Sequence, residues 1–175
     1  MGLDFDKKIG FEICKIKQKS DYEATPGIIN VYEIMQDKEE KPLLSIIKEY
    51  KAEDVIYDEQ CGVRFMNKKI CLQDFANEHI YIMAMDSRWK ILGIYNVSIG
   101  SWNYSTLYKS SVLKFLVLTG AKAFSIYHNH PNGLMEASDE DIETAFGMYG
   151  IGKMLDIEFS GSYIIGRGEY CKIII

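Results

Sequence analysis

Histidine is scarce in this chain of 175 residues, which carries three. Cysteine is nearly as scarce, and Cys14, Cys61, Cys71 and Cys171 are scattered with no CxxC pair. That scatter excludes a zinc knuckle and a dithiol redox motif, and buried free thiols are expected instead. It also excludes the zinc deaminases, whose PCxxC signature needs two close cysteines. Positive charge is short as well: Lys and Arg number 20 against 25 Asp and Glu, a net charge of -5. No basic run exceeds the pairs Lys7-Lys8 and Lys68-Lys69. Direct binding of duplex DNA, which rests on clustered positive charge, is therefore not expected. Apolar runs fall well below the ~20 residues of a membrane span, and MGLDFDKK lacks the apolar segment of a secretory signal. Asp6 stands where a myristoylation motif wants a small hydroxyl residue. A soluble protein of the cytoplasm, with no membrane partner, is the expectation. Repeats and low-complexity segments are absent.

What is present suffices for a packed core, with 47% hydrophobic and 13% aromatic residues. The chain divides near residue 70. Residues 1–70 are charge-mixed, an N-terminal α+β extension whose role the sequence leaves open. There KKIGFEICKIKQK and IINVYEIM read as strands, DKEEK as a solvated turn, PLLSIIKEYKAED as a short helix and GVRFMNKKICL as a further strand. Residues 71–175 are more regular. Strands are expected at Ile80 to Met85 and Ile91 to Ser98, followed by a helix through YKSSVLKFLVLTG. Val112, Phe115, Leu116 and Thr119 recur there at helical spacing, and Gly120 is placed to close the helix. A strand at AFSIYHNH, a helix from Ser138 towards Leu155, and short strands at residues 157–159, 163–165 and 171–175 complete the order. This is an α/β protein with a mixed β-sheet flanked by helices.

The most informative stretch is HNHPNGLMEASDED, from His128 to Asp141. In a strand, residues i and i+2 project from one face, so His128 and His130 point the same way. Pro131, Asn132 and Gly133 supply a reverse turn, and the following helix start allows Asp141 to fold back over the strand end. Two imidazoles and one carboxylate make a three-ligand set suited to Zn²⁺, with a fourth position open for water. Ser138 and Asp141 also fit a capping box, with Ser138 as N-cap. The two readings are compatible, since a capped helix start is a rigid mount for a ligand.

A metal-activated water needs a base. Glu78, in ANEHIYIMAMD, opens the apolar run Ile80 to Met85 and could face a metal held on a neighbouring strand. A lone Glu ahead of a strand is equally a solvated end residue, and His79 beside it would point to the opposite face. Spacing does not select Glu78.

Taken together, these residues resemble the RadC branch of the JAB/MPN (JAMM) metalloprotein family. Its pattern is a Glu ahead of a strand, then HxHPxG, then a Ser after a seven-residue gap and an Asp three further on. Glu78, His128, His130, Pro131, Gly133, Ser138 and Asp141 match it. EHIYIMAMDSRWKILGIYNVSIGS and LDIEFSGSYIIG also look like RadC strands, and the likeness covers roughly residues 75 to 170. The resemblance implies a cytidine-deaminase-like JAB/MPN fold over residues 71–175. It implies that His128, His130 and Asp141 hold Zn²⁺, that Glu78 takes a proton from the activated water, and that Ser138 helps stabilise the oxyanion. Zinc lowers the pKa of bound water from about 15.7 to about 7, so a carboxylate can accept that proton at neutral pH.

The expectation is thus a zinc metallohydrolase of JAMM type, metallopeptidase or isopeptidase-like, acting on a protein or peptide-like substrate. Three departures from the family lie outside the ligands: Tyr108-Lys109-Ser110-Ser111 replaces His-Pro-Arg-Glu, Gly161-Ser162 replaces Asp-His, and the phase after Asp141 is one residue short. No helix-hairpin-helix signature of longer RadC proteins appears. Two rivals remain. One is a non-catalytic binding or assembly module of the same fold. The other is a metal-dependent nuclease associated with DNA repair, which the triplet His128-Asn129-His130 and the historical family name suggest and the acidic balance disfavours. Homo-oligomerisation is left open. Trp89, Trp102, Tyr104 and Tyr108 could line a groove, although aromatics beside strands more often fill a core. Only the stretch from Trp102 to Tyr108, leading into the helix before the histidine strand, is placed to border the site.

Overall fold

A computed structural model describes residues 10–17, 25–99 and 108–175. They form one sheet of eight strands, β1 (Gly10–Lys15), β2 (Gly27–Gln36), β3 (Pro42–Ala52), β4 (His79–Met85), β5 (Ile91–Ile99), β6 (Ala123–His128), β7 (Glu158–Ile165) and β8 (Glu169–Ile174). The order across the sheet is β1-β8-β7-β6-β4-β5-β2-β3, and β6/β7 and β2/β5 are the parallel pairs. Three α-helices accompany them: α1 (Glu59–Phe65), α2 (Lys109–Thr119) and α3 (Asp139–Leu155). The mixed sheet with helices on both faces is the expected α/β architecture. None of the helices among the described residues is long and apolar enough to cross a membrane.

The strands from residues 10 to 52 belong to this sheet. β1 pairs antiparallel with β8 at one edge, and the β2–β3 hairpin extends the other edge through β5. Asp37 holds the turn of that hairpin, its Oδ1 accepting from the N–H groups of Glu39 and Lys41.

β6 lies at the centre and all six of its residues are buried. Its alternation divides the core. Phe124 and Ile126 face α2 and α3, joining Ile80, Ile82, Val112, Phe115, Leu116 and Met148. Tyr127 faces the side of α1, with Val63, Phe65, Met66, Met83 and Tyr163. Each fully buried large apolar side chain contributes about 1.5–3 kcal/mol relative to exposure, so this strand is a rigid base for whatever stands at its end.

Two segments differ from the sequence expectation. PLLSIIKEYKA is strand β3 rather than a helix, paired along its length with β2. GVRFMNKKICL is helical rather than a strand. The Asp58 carboxylate caps α1 by accepting from Cys61 N at 2.6 Å, and wider π-type turns continue over Met66–Ile70 until Cys71 turns left-handed. The short strands expected at residues 157–159 and 163–165 are one strand, β7. Gly161, at φ 146°, lies where its register with β6 shifts, and a Cβ there would stand 2.7 Å from the Tyr163 hydroxyl. The thiols are free, with Cys61 and Cys171 buried and Cys14 half-buried. Cys71 is exposed, against expectation, because it terminates the helix at the surface.

Candidate metal centre

The centre is built at the C-terminal end of β6. His128 is its last residue and is buried, and the chain then turns through Pro131 and Gly133, whose N–H donates to His130 O. His130 Nδ1 meets Leu134 O at 2.9 Å. A carbonyl only accepts, so Nδ1 carries a proton and the ring is oriented with Nε2 facing inward, the orientation a metal-binding imidazole requires. Asp141 arrives from the first turn of α3. Ser138 caps that helix: its Oγ accepts from Asp141 N at 3.2 Å, while Asp141 Oδ2 accepts from Ser138 N at 2.8 Å and from Ser138 Oγ at 2.7 Å. The capping box is therefore present and also fixes the carboxylate.

His128 Nε2 lies 3.0 Å from Asp141 Oδ1, and His130 Nε2 lies 3.2 Å from Asp141 Oδ2. One donor atom from each residue falls within 4.8 Å of the others, a group able to hold a metal ion. Burial raises the affinity of the Asp141 carboxyl for its proton, but the two imidazoles and Ser138 outweigh it and hold the group well below the usual carboxylate range. Burial also depresses His130, and the Asp141 charge more than offsets this. His128 supplies the sharper observation. Despite lying 3.0 Å from Asp141 Oδ1, the buried Nε2 makes no hydrogen bond. A buried ring nitrogen that faces a carboxylate without forming a hydrogen bond fits a site made for a cation.

Glu78 stands immediately before β4. Ile80 and His128 form the last pair of the β4–β6 ladder, and Glu78 and His130 each lie two residues beyond it. Ile80 shares its sheet face with His128, and the Glu78 charge acts on His130. His79 points to the other face and stacks on Phe75 with centroids 4.3 Å apart.

Sequence reasoning missed Asn129. It is 1% exposed, and its Oδ1 accepts from His79 N at 2.9 Å while Nδ2 donates to Phe75 O at 3.2 Å and Asn77 O at 3.1 Å. The available signal was a polar residue at the inward-facing position between two histidines of a buried strand, where an apolar side chain is the rule. Among the aromatics, Trp89 lies in the β4–β5 turn, at the far end of β4 from the histidines, and stacks on Tyr57 at 6.0 Å as core filler. Tyr108 is exposed at the start of α2, and Trp102 and Tyr104 lie outside the described residues.

A mixed sheet carrying a His-His-Asp group at the end of its central strand defines an α/β protein with a metal-type site. The chain belongs to the RadC-like JAB domain family, whose model matches residues 56–173. It is 35% identical over 96 residues to a UPF0758 protein of Chloroflexus aggregans, covering 55% of this chain and 42% of the relative. A UPF0758 protein of Clostridium acetobutylicum is 31% identical over 102 residues, 58% of this chain and 44% of the relative. One from Staphylococcus haemolyticus is 27% identical over 103 residues, 59% and 45% respectively. The chain thus spans less than half the length of these curated relatives.

Proposed function

We propose that this protein is a zinc-dependent hydrolase of amide or isopeptide bonds. The reading rests on one observation: the buried Nε2 of His128, without a hydrogen bond, is grouped with His130 and Asp141 in a set able to hold a metal ion. The donor set, two neutral imidazoles and a carboxylate, suits Zn²⁺ and leaves a coordination position open. When bound, the ion would acidify a coordinated water and polarise a substrate carbonyl.

The remaining work falls to the chain. Glu78, whose charge reaches His130, would accept a proton on its carboxylate and return it to the leaving amine. Ser138 would donate its hydroxyl to the developing oxyanion, turning away from Asp141 Oδ2, its present acceptor. Asp141 would remain fixed during that turn by its bond from the Ser138 backbone N–H. A protein or peptide-like substrate follows from amide chemistry together with an acidic chain ill suited to phosphate backbones.

The test compares wild type with Glu78→Gln over internally quenched peptides, isopeptide conjugates, and single-stranded and duplex DNA. Loss of peptide or isopeptide turnover in Glu78→Gln with full metal content is the expected result. Unchanged turnover removes Glu78 from the chemistry, cleavage confined to DNA replaces this reading by the nuclease, and metal binding without turnover on any probe leaves a binding module.

A further inference from the structure

We infer that Asn129 is a positioning residue for Glu78, an assignment that deepens the hydrolase reading and rests on it. The residue between two ligands of an HxH triplet is ordinarily a spacer, since strand alternation turns it away from the metal. Here it is buried and makes three hydrogen bonds, all to one short segment, Phe75 to His79. The amide bonds Asn77 O on one side of Glu78 and His79 N on the other. The third bond, to Phe75 O, fixes the approach of the chain, and the Phe75–His79 ring stack closes the same segment from outside.

The consequence follows from the register. Ile80 is opposite His128 at the end of the ladder, the Asn129 amide meets His79 N one residue beyond it, and Glu78, two residues beyond, acts on His130 through its charge. Three consecutive residues thus divide the work. His128 and His130 present ring nitrogens to the cation, and Asn129, on the other face, clamps the backbone that carries the base. The distance between base and cation is set by a side chain rooted in the ligand strand itself, and placement at that scale decides rates. A hydrogen-bonded amide suits the task because it offers an acceptor and two donors without charge.

Asn129→Ala and Asn129→Asp test this; the Asp variant retains an acceptor for His79 N and loses the donors to Phe75 and Asn77. Both should bind cobalt(II) at about one ion per chain, because all three ligands remain. In the cobalt-loaded protein, Glu78→Gln should shift the visible absorption bands. Asn129→Ala should reproduce that shift, and the double variant should add nothing to it. Amide hydrogen exchange should accelerate at residues 76–79 while β6 and α3 keep their protection. On an internally quenched peptide, kcat should fall by the factor seen in Glu78→Gln with KM unchanged, again without addition in the double variant.

A wild-type cobalt spectrum with wild-type protection at residues 76–79 in Asn129→Ala overturns the assignment, as do effects that add in full to those of Glu78→Gln. In the unaltered protein the Asn129 side-chain NH₂ protons should exchange slowly, and fast exchange overturns the assignment with no variant needed. Failure of the hydrolase reading is separate, since it leaves wild type inactive while the cobalt and exchange readouts still report on the clamp.

Discussion

Tyr127 and His128 are consecutive residues of β6 facing opposite sides of the sheet, and their polar atoms are treated in opposite ways. On the side of Tyr127 a chain of hydroxyls runs to a backbone carbonyl that ends it. Ser125 Oγ donates to Tyr127 at 3.1 Å, Tyr127 to Tyr57 at 3.4 Å, Tyr57 to Tyr163 at 3.5 Å, and Tyr163 to Ser160 O at 3.2 Å. Burial pushes the three phenols above their ordinary range, so all remain donors at neutral pH. Gly62 belongs to this packing, because a Cβ there would sit 2.0 Å from the Tyr127 hydroxyl. On the side of His128, Nε2 is left without a hydrogen bond among convergent donor atoms. The difference separates architecture from site: a buried polar network satisfied internally supports the fold, whereas one left open towards a common point asks for a ligand.

The largest effect expected from breaking this contrast is on metal content. Purified protein should carry about one divalent ion per chain, and His128→Ala with His130→Ala should reduce it to background. Loss of an outer partner alone costs about 10–100-fold in affinity, so loss of two ligands should exceed that range. Metal analysis decides, and a full complement in the double variant would remove these residues as ligands. Circular dichroism should show the fold intact, because the tyrosine network lies on the other face.

The two sides also differed in what could be read from sequence. On the side of His128 the strand, turn and helix start were legible because their signals are local: alternation along β6, a turn, and a capping box, all between Ala123 and Asp141. Apolar runs and a closing glycine likewise announced β4, β5 and α2, and Gly120 does adopt the left-handed conformation at φ 66°. The other side depends on distant pairing. Leu43, Leu44 and Ile47 imitate helical spacing, yet β3 is an edge strand because β2 supplies its partner. Val63, Phe65 and Ile70 are strand formers by propensity, yet the Asp58 cap and the pocket they fill make the segment helical. Asn129 was opaque for the same reason, its partners lying 50 to 54 residues away.

A smaller effect sharpens the contrast from the other face. Tyr127→Phe preserves ring packing and deletes one hydroxyl, leaving Ser125 Oγ and the Tyr57 hydroxyl short of a partner. Unsatisfied buried groups cost about 1–3 kcal/mol, which denaturant titration should record as a lower midpoint with an unchanged slope. Metal content should stay at the wild-type level. If it fell with stability, the two faces of β6 would be one cooperative centre.

The smallest effect concerns the rim of the tyrosine network, where it meets charge. Tyr170 donates to Glu59 Oε1 and accepts from Gln60 Nε2 at 3.0 Å, while Lys172 Nζ lies 2.5 Å from Glu59 Oε2. Burial raises the Glu59 pKa, but Lys172 and Tyr170 outweigh it and bring the carboxyl below its ordinary value of 4.5. A depressed carboxylate stabilises the folded state fully above its unfolded pKa and loses that contribution as pH falls through its folded pKa. Both side chains are about a third exposed, so the contribution near neutrality should be about 1 kcal/mol or less. The thermal midpoints of wild type and Glu59→Gln should therefore differ most near neutral pH and converge below about pH 4.5. A gap that stayed constant down to about pH 3 would show that the carboxylate charge adds nothing, and that the phenols close their network without support from the surface.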